Sequence, residues 1–116
     1  MWLQYPNVIP SPETIESLGD GWTGESALAI ALYCALVAGD GLVKGVILAV
    51  NHSGDSDSTG SITGNILGAL LEEQAIPRDW LLQLELADVI KQVGDDLFTT
   101  FEGSEHWLKR YPPFTI

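Results

Sequence analysis

Ala49-Val50-Asn51-His52-Ser53-Gly54-Asp55-Ser56-Asp57-Ser58-Thr59-Gly60-Ser61-Ile62-Thr63-Gly64-Asn65-Ile66-Leu67-Gly68-Ala69 is the stretch on which the fold turns. It reads as a polar loop, residues 51–59, running into a helix. Gly60, Gly64 and Gly68 recur every four residues, so they share one helical face. Each glycine costs a helix roughly 1 kcal/mol against alanine, a cost most easily tolerated where another backbone packs close. Ile62, Ile66, Leu67 and Leu70 supply the apolar contact.

Outward from this stretch the pattern stays helical. Ser11-Pro12-Glu13 is a helix start, with Ser as N-cap, Pro at the first helical position and an acid in the first turn. Gly19-Asp20-Gly21 cuts that helix short. Thr23 caps the next one, with Glu25 near its positive end. Apolar residues fill every side of it from Ala27 to Val37, which predicts the central helix of the fold. Gly39-Asp40-Gly41 ends it. Residues 42–50 carry Val43, Val46, Ile47 and Val50 and would equally suit a strand. Helix is expected because nothing else in the chain offers a sheet to join.

After the break at Ala75-Ile76-Pro77, a short helical turn is expected around Trp80 to Leu84, and a last helix over residues 85–102. Leu86, Val89, Ile90, Val93, Leu97, Phe98 and Phe101 give the last helix an amphipathic stripe. Residues 1–10 read as an extended lead-in, and residues 103–116 as an irregular strap or frayed end. The expectation is an all-α fold in a single domain, residues 1–116.

Composition narrows the function. The chain of 116 residues is 46% hydrophobic, enough to fill a core, and has a formal net charge of -11. Such an acidic chain repels a phosphate backbone and an anionic bilayer surface, so neither nucleic acid nor membrane is an expected partner. The longest apolar run, Ala27 to Ala38, is too short to span a bilayer. The N-terminus has neither the basic nor the apolar region of a signal peptide. The single cysteine, Cys34, excludes an internal disulfide, fits a reducing cytoplasm, and reads as a core residue in its apolar surroundings.

The chemistry lies in the loop. Asp55 and Asp57, separated by one residue and followed by the Ser58 hydroxyl, are hard oxygen donors of the kind that bind Mg²⁺, Mn²⁺ or Ca²⁺. The same spacing is also that of an ordinary helix N-cap with an acidic first turn, so spacing leaves both readings open. An EF-hand is excluded, because its twelfth loop position must be an acid and here is Ile66. His52 is either a ligand-facing group or a loop hydrogen-bonder. Glu25 either approaches the site or simply occupies its helix's first turn. Trp22 and Trp80 have the faces to stack on a base, but are expected to anchor loops to the core. His106 falls in the solvated tail.

Three blocks together resemble the C-terminal part of the ADP-ribosylglycohydrolase family. They are Leu18-Gly19-Asp20-Gly21-Trp22-Thr23-Gly24-Glu25-Ser26-Ala27-Leu28-Ala29-Ile30-Ala31, the opening stretch above, and Ile76-Pro77-Arg78-Asp79-Trp80-Leu81. The resemblance covers residues 11–102. It implies an all-helical fold, a pair of Mg²⁺ ions, and cleavage of the glycosidic bond joining ADP-ribose to a protein side chain or related group. By this resemblance Asp55, Asp57 and Ser58 are metal ligands, Asp55 and Asp57 are also the catalytic candidates, and His52, Ser53 and Gly54 face substrate. Serine at 58 replaces the family's more usual threonine, and Ser53 stands where glycine is common.

The family's N-terminal half, with its Thr-Asp-Asp motif, has no counterpart here. The only adjacent aspartates are Asp95-Asp96. The resemblance therefore implies half of a two-metal site, with a complementing N-terminal half or a homo-oligomer as partner. Two alternatives stand beside the hydrolase: a non-catalytic remnant that binds an ADP-ribose-like ligand or a protein partner, and a structural, crystallin-like member.

Overall fold

The capping residues set the helix starts. In the computed structural model, which describes residues 10–100 and 102–114, the Ser11 side chain accepts from the Thr14 N–H and Pro12 opens α1, Pro12–Glu16. Thr23 accepts from the Ser26 N–H at the head of α2, Gly24–Ala38. The left-handed Gly39 closes α2 by donating its N–H to the Ala35 carbonyl. Next come α3, Leu42–Val50, and α4, Ser56–Leu71, with a turn of 3-10 helix, Glu73–Ala75, behind them. The β-branched segment is thus a helix, as expected for a chain that offers it no sheet. Among the described residues there is no strand, and no helix is long and apolar enough to cross a membrane.

The chain gathers into two compact units, Met1–Arg78 and Asp79–Ile116. In the first, α2, α3 and α4 pack pairwise around two neighbouring apolar clusters. One joins Ile15, Ile30, Cys34 and Ala49, and the other Ala35, Ala38, Leu42 and Leu67. Burying a side chain such as Ile30 or Leu67 contributes about 1.5–3 kcal/mol. Close approach needs Gly45: a Cβ there would lie 2.4 Å from Leu67 Cδ1 and 2.8 Å from Ala38 Cβ. The glycine row of α4 works differently from expectation, because its neighbours are side chains rather than a backbone. A Cβ at Gly60 would meet Val50 Cγ1 at 2.4 Å, one at Gly64 would only touch Val46, and one at Gly68 would meet open space.

α2 is less central than its composition suggests. Ala27, Ile30, Ala31, Cys34, Ala35 and Ala38 are buried, but Leu28, Leu32 and Leu36 line an exposed face, with Leu36 72% exposed. α3 and α4 cover one side of the helix and leave the leucine stripe outside. Of the residues credited to the α4 interface, Leu67 is fully buried while Leu70 is exposed.

The second unit holds all but the first residue of α5, Arg78–Gln83, with α6, Ala87–Thr99, and α7, Glu105–Arg110. α6 is shorter than the expected 85–102, because Leu86 and Thr100 take positive φ at its two ends; Phe101 lies outside the described residues. The expected frayed tail is corrected outright. Ser104 caps α7 by accepting from the Trp107 N–H, and Lys109 and Arg110 sit in its last turn, where cations suit the helix dipole. Asp96 binds this helix. Both its oxygens accept from Arg110 Nη1, at 3.0 and 2.8 Å, and Oδ2 also accepts from the Tyr111 hydroxyl at 2.7 Å. His106 is exposed, though on a helix rather than a loose tail. The apolar stripe of α6 is largely uncovered, with Phe98 90% exposed.

Candidate metal centre

Two sequence blocks meet backbone to backbone at the loop. The Asp55 N–H donates to the Asp20 carbonyl at 2.7 Å. A Cβ on Gly54 would lie 2.0 Å from that same oxygen, so only glycine permits the approach. Gly21, at φ +80°, turns the opposing chain, and a Cβ there would press on Thr59 Cγ2 and the Asp55 carbonyl. Two of the blocks that carry the family resemblance, 18–31 and 49–69, thus meet at a physical junction.

The loop is shorter than the expected 51–59, because α4 begins at Ser56 and takes Asp57, Ser58 and Thr59 into its first turn. Asp55 occupies the N-cap position without a side-chain cap bond. Its carboxyl instead lies beside that of Asp57. This contact, with the N–H of Ser58 at 2.8 Å from Asp57 Oδ1, holds the Asp57 carboxyl below the usual carboxylate range. Asp55 and Ser58 are half-buried and Asp57 is exposed. Asp57 and Ser58 border a surface depression that Ser61 and Ile62 complete.

Behind the carboxylates stands Thr59, fully buried. Its hydroxyl donates to the Ala49 carbonyl at 2.7 Å. Ala49 lies in the last turn of α3, where carbonyls have no intrahelical partner, so Thr59 satisfies one of them. His52 Nδ1 accepts the Gly54 N–H at 3.1 Å, which assigns the ring proton to Nε2, and Nε2 meets Thr59 Oγ1 at 2.9 Å. Both ring nitrogens of His52 are therefore engaged by the loop and the helix behind it. Ser53 is held from α1: its N–H and hydroxyl both donate to Glu16 Oε1, at 3.1 and 2.8 Å. These two bonds, the hydroxyl's first, keep the Glu16 carboxyl below its ordinary value.

Two neighbouring acids at a helix start, followed at once by a serine, offer the hard oxygen donors that suit a divalent cation. They fit it as a partial set. Among the described residues, no group of three or more His, Cys, Asp or Glu side chains comes together to complete a site.

Glu25 is exposed in the first turn of α2, its carboxyl lowered by its own backbone N–H and then by the Thr23 hydroxyl. Trp22 does not anchor the loop to the core. It is 75% exposed, while its N–H donates to Asp20 Oδ1 at 3.0 Å. Trp80 is 40% exposed. Cys34 is fully buried, and burial raises its thiol to about 11. Sequence reasoning missed Glu16, Thr59 and the Asp96 cluster. Thr59 had a usable signal, a hydroxyl one helical turn after an N-cap; Glu16, 37 positions from Ser53, had none.

Comparison with known proteins gives the same assignment as the residues. A family described as ADP-ribosylglycohydrolase matches residues 2–106. An uncharacterized protein of Archaeoglobus fulgidus is 30% identical over 99 residues, covering 83% of this chain and 32% of its own length. The chain thus spans about a third of that relative. No solved structure matches it.

Proposed function

The chain belongs to the ADP-ribosylglycohydrolase family, and on that premise we propose that it supplies one part of a Mg²⁺-dependent site for hydrolysing the glycosidic bond of ADP-ribose attached to a protein side chain or related group. The observation that carries this is the Asp55–Asp57 carboxyl pair at the start of α4, with Ser58 next in that helix's first turn, on a loop tied down from Asp20, Ala49 and Glu16. Asp55, Asp57 and Ser58 would hold the ion, which when bound supplies Lewis acidity to ribose hydroxyls and to a water. The carboxylates would orient an attacking water by accepting hydrogen bonds from it, and one of them would take its proton as it adds to the anomeric carbon and the glycosidic bond breaks. His52, Ser53 and Gly54 form the loop wall toward the sugar.

The donor set is partial, so the remaining ligands belong to a further segment or a second chain that completes the family's site. Exposed Leu28, Leu32 and Leu36 on α2 give such a segment an apolar face to cover. A homo-oligomer is the competing occupant, and sedimentation of the chain alone separates the two. For the chain standing alone, the partial set favours the second reading, a non-catalytic binder of an ADP-ribose-like ligand.

The test is release of free ADP-ribose from ADP-ribosylated protein. The isolated chain is expected to be inactive. Joined to or mixed with an N-terminal portion from a family member, it is expected to gain activity that EDTA, Asp55→Ala or Asp57→Ala removes. EDTA-insensitive turnover by the isolated chain would overturn the proposal.

A further inference from the structure

We propose that Glu16 is a positioning residue for the metal-binding loop, its carboxylate fixing Ser53 and, through it, the backbone that presents Asp55 and Asp57. The inference rests on the metal reading of the loop given above. One carboxylate oxygen, Glu16 Oε1, accepts both the N–H and the hydroxyl of Ser53, 37 residues away in sequence. Hydrogen bonds to an ionised acceptor are roughly twice as strong as neutral ones.

The base from which Glu16 acts is itself fixed. Its neighbour Ile15 is fully buried in the core beside Ile30, Cys34 and Ala49, and Ser11 and Pro12 set the start of α1. The loop is then held residue by residue. His52 contacts Thr59, Ser53 contacts Glu16, the Gly54 N–H returns to His52, and the Asp55 N–H reaches the Asp20 carbonyl. The bonds to Glu16 are the ones in this series made by a charged side chain. Without them, Ser53 turns to water and the loop before Asp55 loses its tie to α1. Groups hydrogen-bonded directly to ligands change metal affinity by about 10–100-fold when removed, and Glu16, one step further out through Ser53, takes the low end of that range.

The experiment uses the full chain and Mn²⁺ as probe, with affinity read by electron paramagnetic resonance and loop order by amide hydrogen exchange at Ser53. Glu16→Ala is expected to weaken Mn²⁺ binding by about 10-fold and to speed exchange at Ser53, with the cooperative thermal transition retained. Glu16→Gln keeps an acceptor oxygen and is expected to restore most of the affinity, which a role through charge alone would not allow. Unchanged affinity in Glu16→Ala, or Glu16→Gln binding as poorly as Glu16→Ala, would overturn the positioning role. Asp57→Ala separates the two failures. If it binds Mn²⁺ like the parent chain, the metal reading itself is wrong. If it loses binding while Glu16→Ala does not, only the role of Glu16 is.

Discussion

Thr59→Val replaces a buried hydroxyl with a methyl of nearly the same shape. The structure gives the cost. The Ala49 carbonyl loses a 2.7 Å donor at the end of α3, and His52 Nε2 loses its 2.9 Å acceptor. A buried polar group left unsatisfied costs about 1–3 kcal/mol. Ala49 is fully buried and incurs most of that, whereas half-buried His52 recovers part of its loss by turning to water. A total of about 2–3 kcal/mol follows. For a cooperative unit of this size, that is a fall in Tm of roughly 8–24 °C. Thr59→Ser keeps the hydroxyl and loses one methyl, worth about 0.8 kcal/mol. The expected order of stability is therefore the parent chain, then Thr59→Ser, then Thr59→Val. Packing alone predicts the reverse for the two variants, since valine preserves the apolar contact with the Gly21 turn. Thermal unfolding followed by far-ultraviolet circular dichroism decides between them. A Thr59→Val chain as stable as the parent, or more stable than the Thr59→Ser chain, would refute the hydrogen-bond argument.

Gly54→Ala places a carbon 2.0 Å from the Asp20 carbonyl oxygen, so the Asp20–Asp55 junction must open; a large loss of thermal stability and of Mn²⁺ binding is expected, measured by the same melts and by resonance titration. Cys34 is expected to resist alkylation by iodoacetamide at pH 8 until the chain unfolds, since its thiol is buried and raised to about 11; labelling at the rate of a free thiol would show the core to be open. In the second unit the Tyr111 hydroxyl, ahead of Arg110, lowers the Asp96 carboxyl, and Asp96 raises the Tyr111 hydroxyl. A depressed carboxylate contributes stability above its unfolded value of about 3.9 and loses it as pH falls through the folded value. A raised phenol contributes stability below about 10 and loses it as pH rises through the folded value. The α6–α7 contact is thus expected to loosen at both extremes, visible in the Trp107 indole resonance, and Asp96→Asn should remove both limbs.

How much of the fold was legible depends on whether its cause is local. The starts of α1 and α2 are capping chemistry within four residues, and Ser11 and Thr23 perform the bonds their positions imply. Helix α3 was legible by elimination, since its residues alone suit a strand as well. Burial was not local. The side chains of α2 are apolar on every face, and only its partners decide that Ile30 is enclosed while Leu36 is not. The tail was missed because a six-residue helix has too few residues for a periodic signal. It is held instead by Asp96, which bonds Arg110 and Tyr111, 14 and 15 positions away.

The site divides along the same line. Asp55, Asp57 and Ser58 are contiguous, and residue type with spacing was enough to single them out. What spacing could not separate was a metal loop from an ordinary acidic helix start. The structure adds a physical distinction. In an ordinary N-cap the aspartate side chain accepts from a backbone N–H of the first turn. Asp55 makes no such bond, and its carboxyl lies beside that of Asp57. Two acids brought together in this way forgo a capping bond typically worth about 1 kcal/mol and repel each other when both are ionised. The surrounding fold, through Asp20, Thr59 and Glu16, maintains that arrangement. A divalent cation would reverse its sign, converting the repulsion into coordination, which is why the carboxyl pair, rather than the motif spelling, carries the proposal.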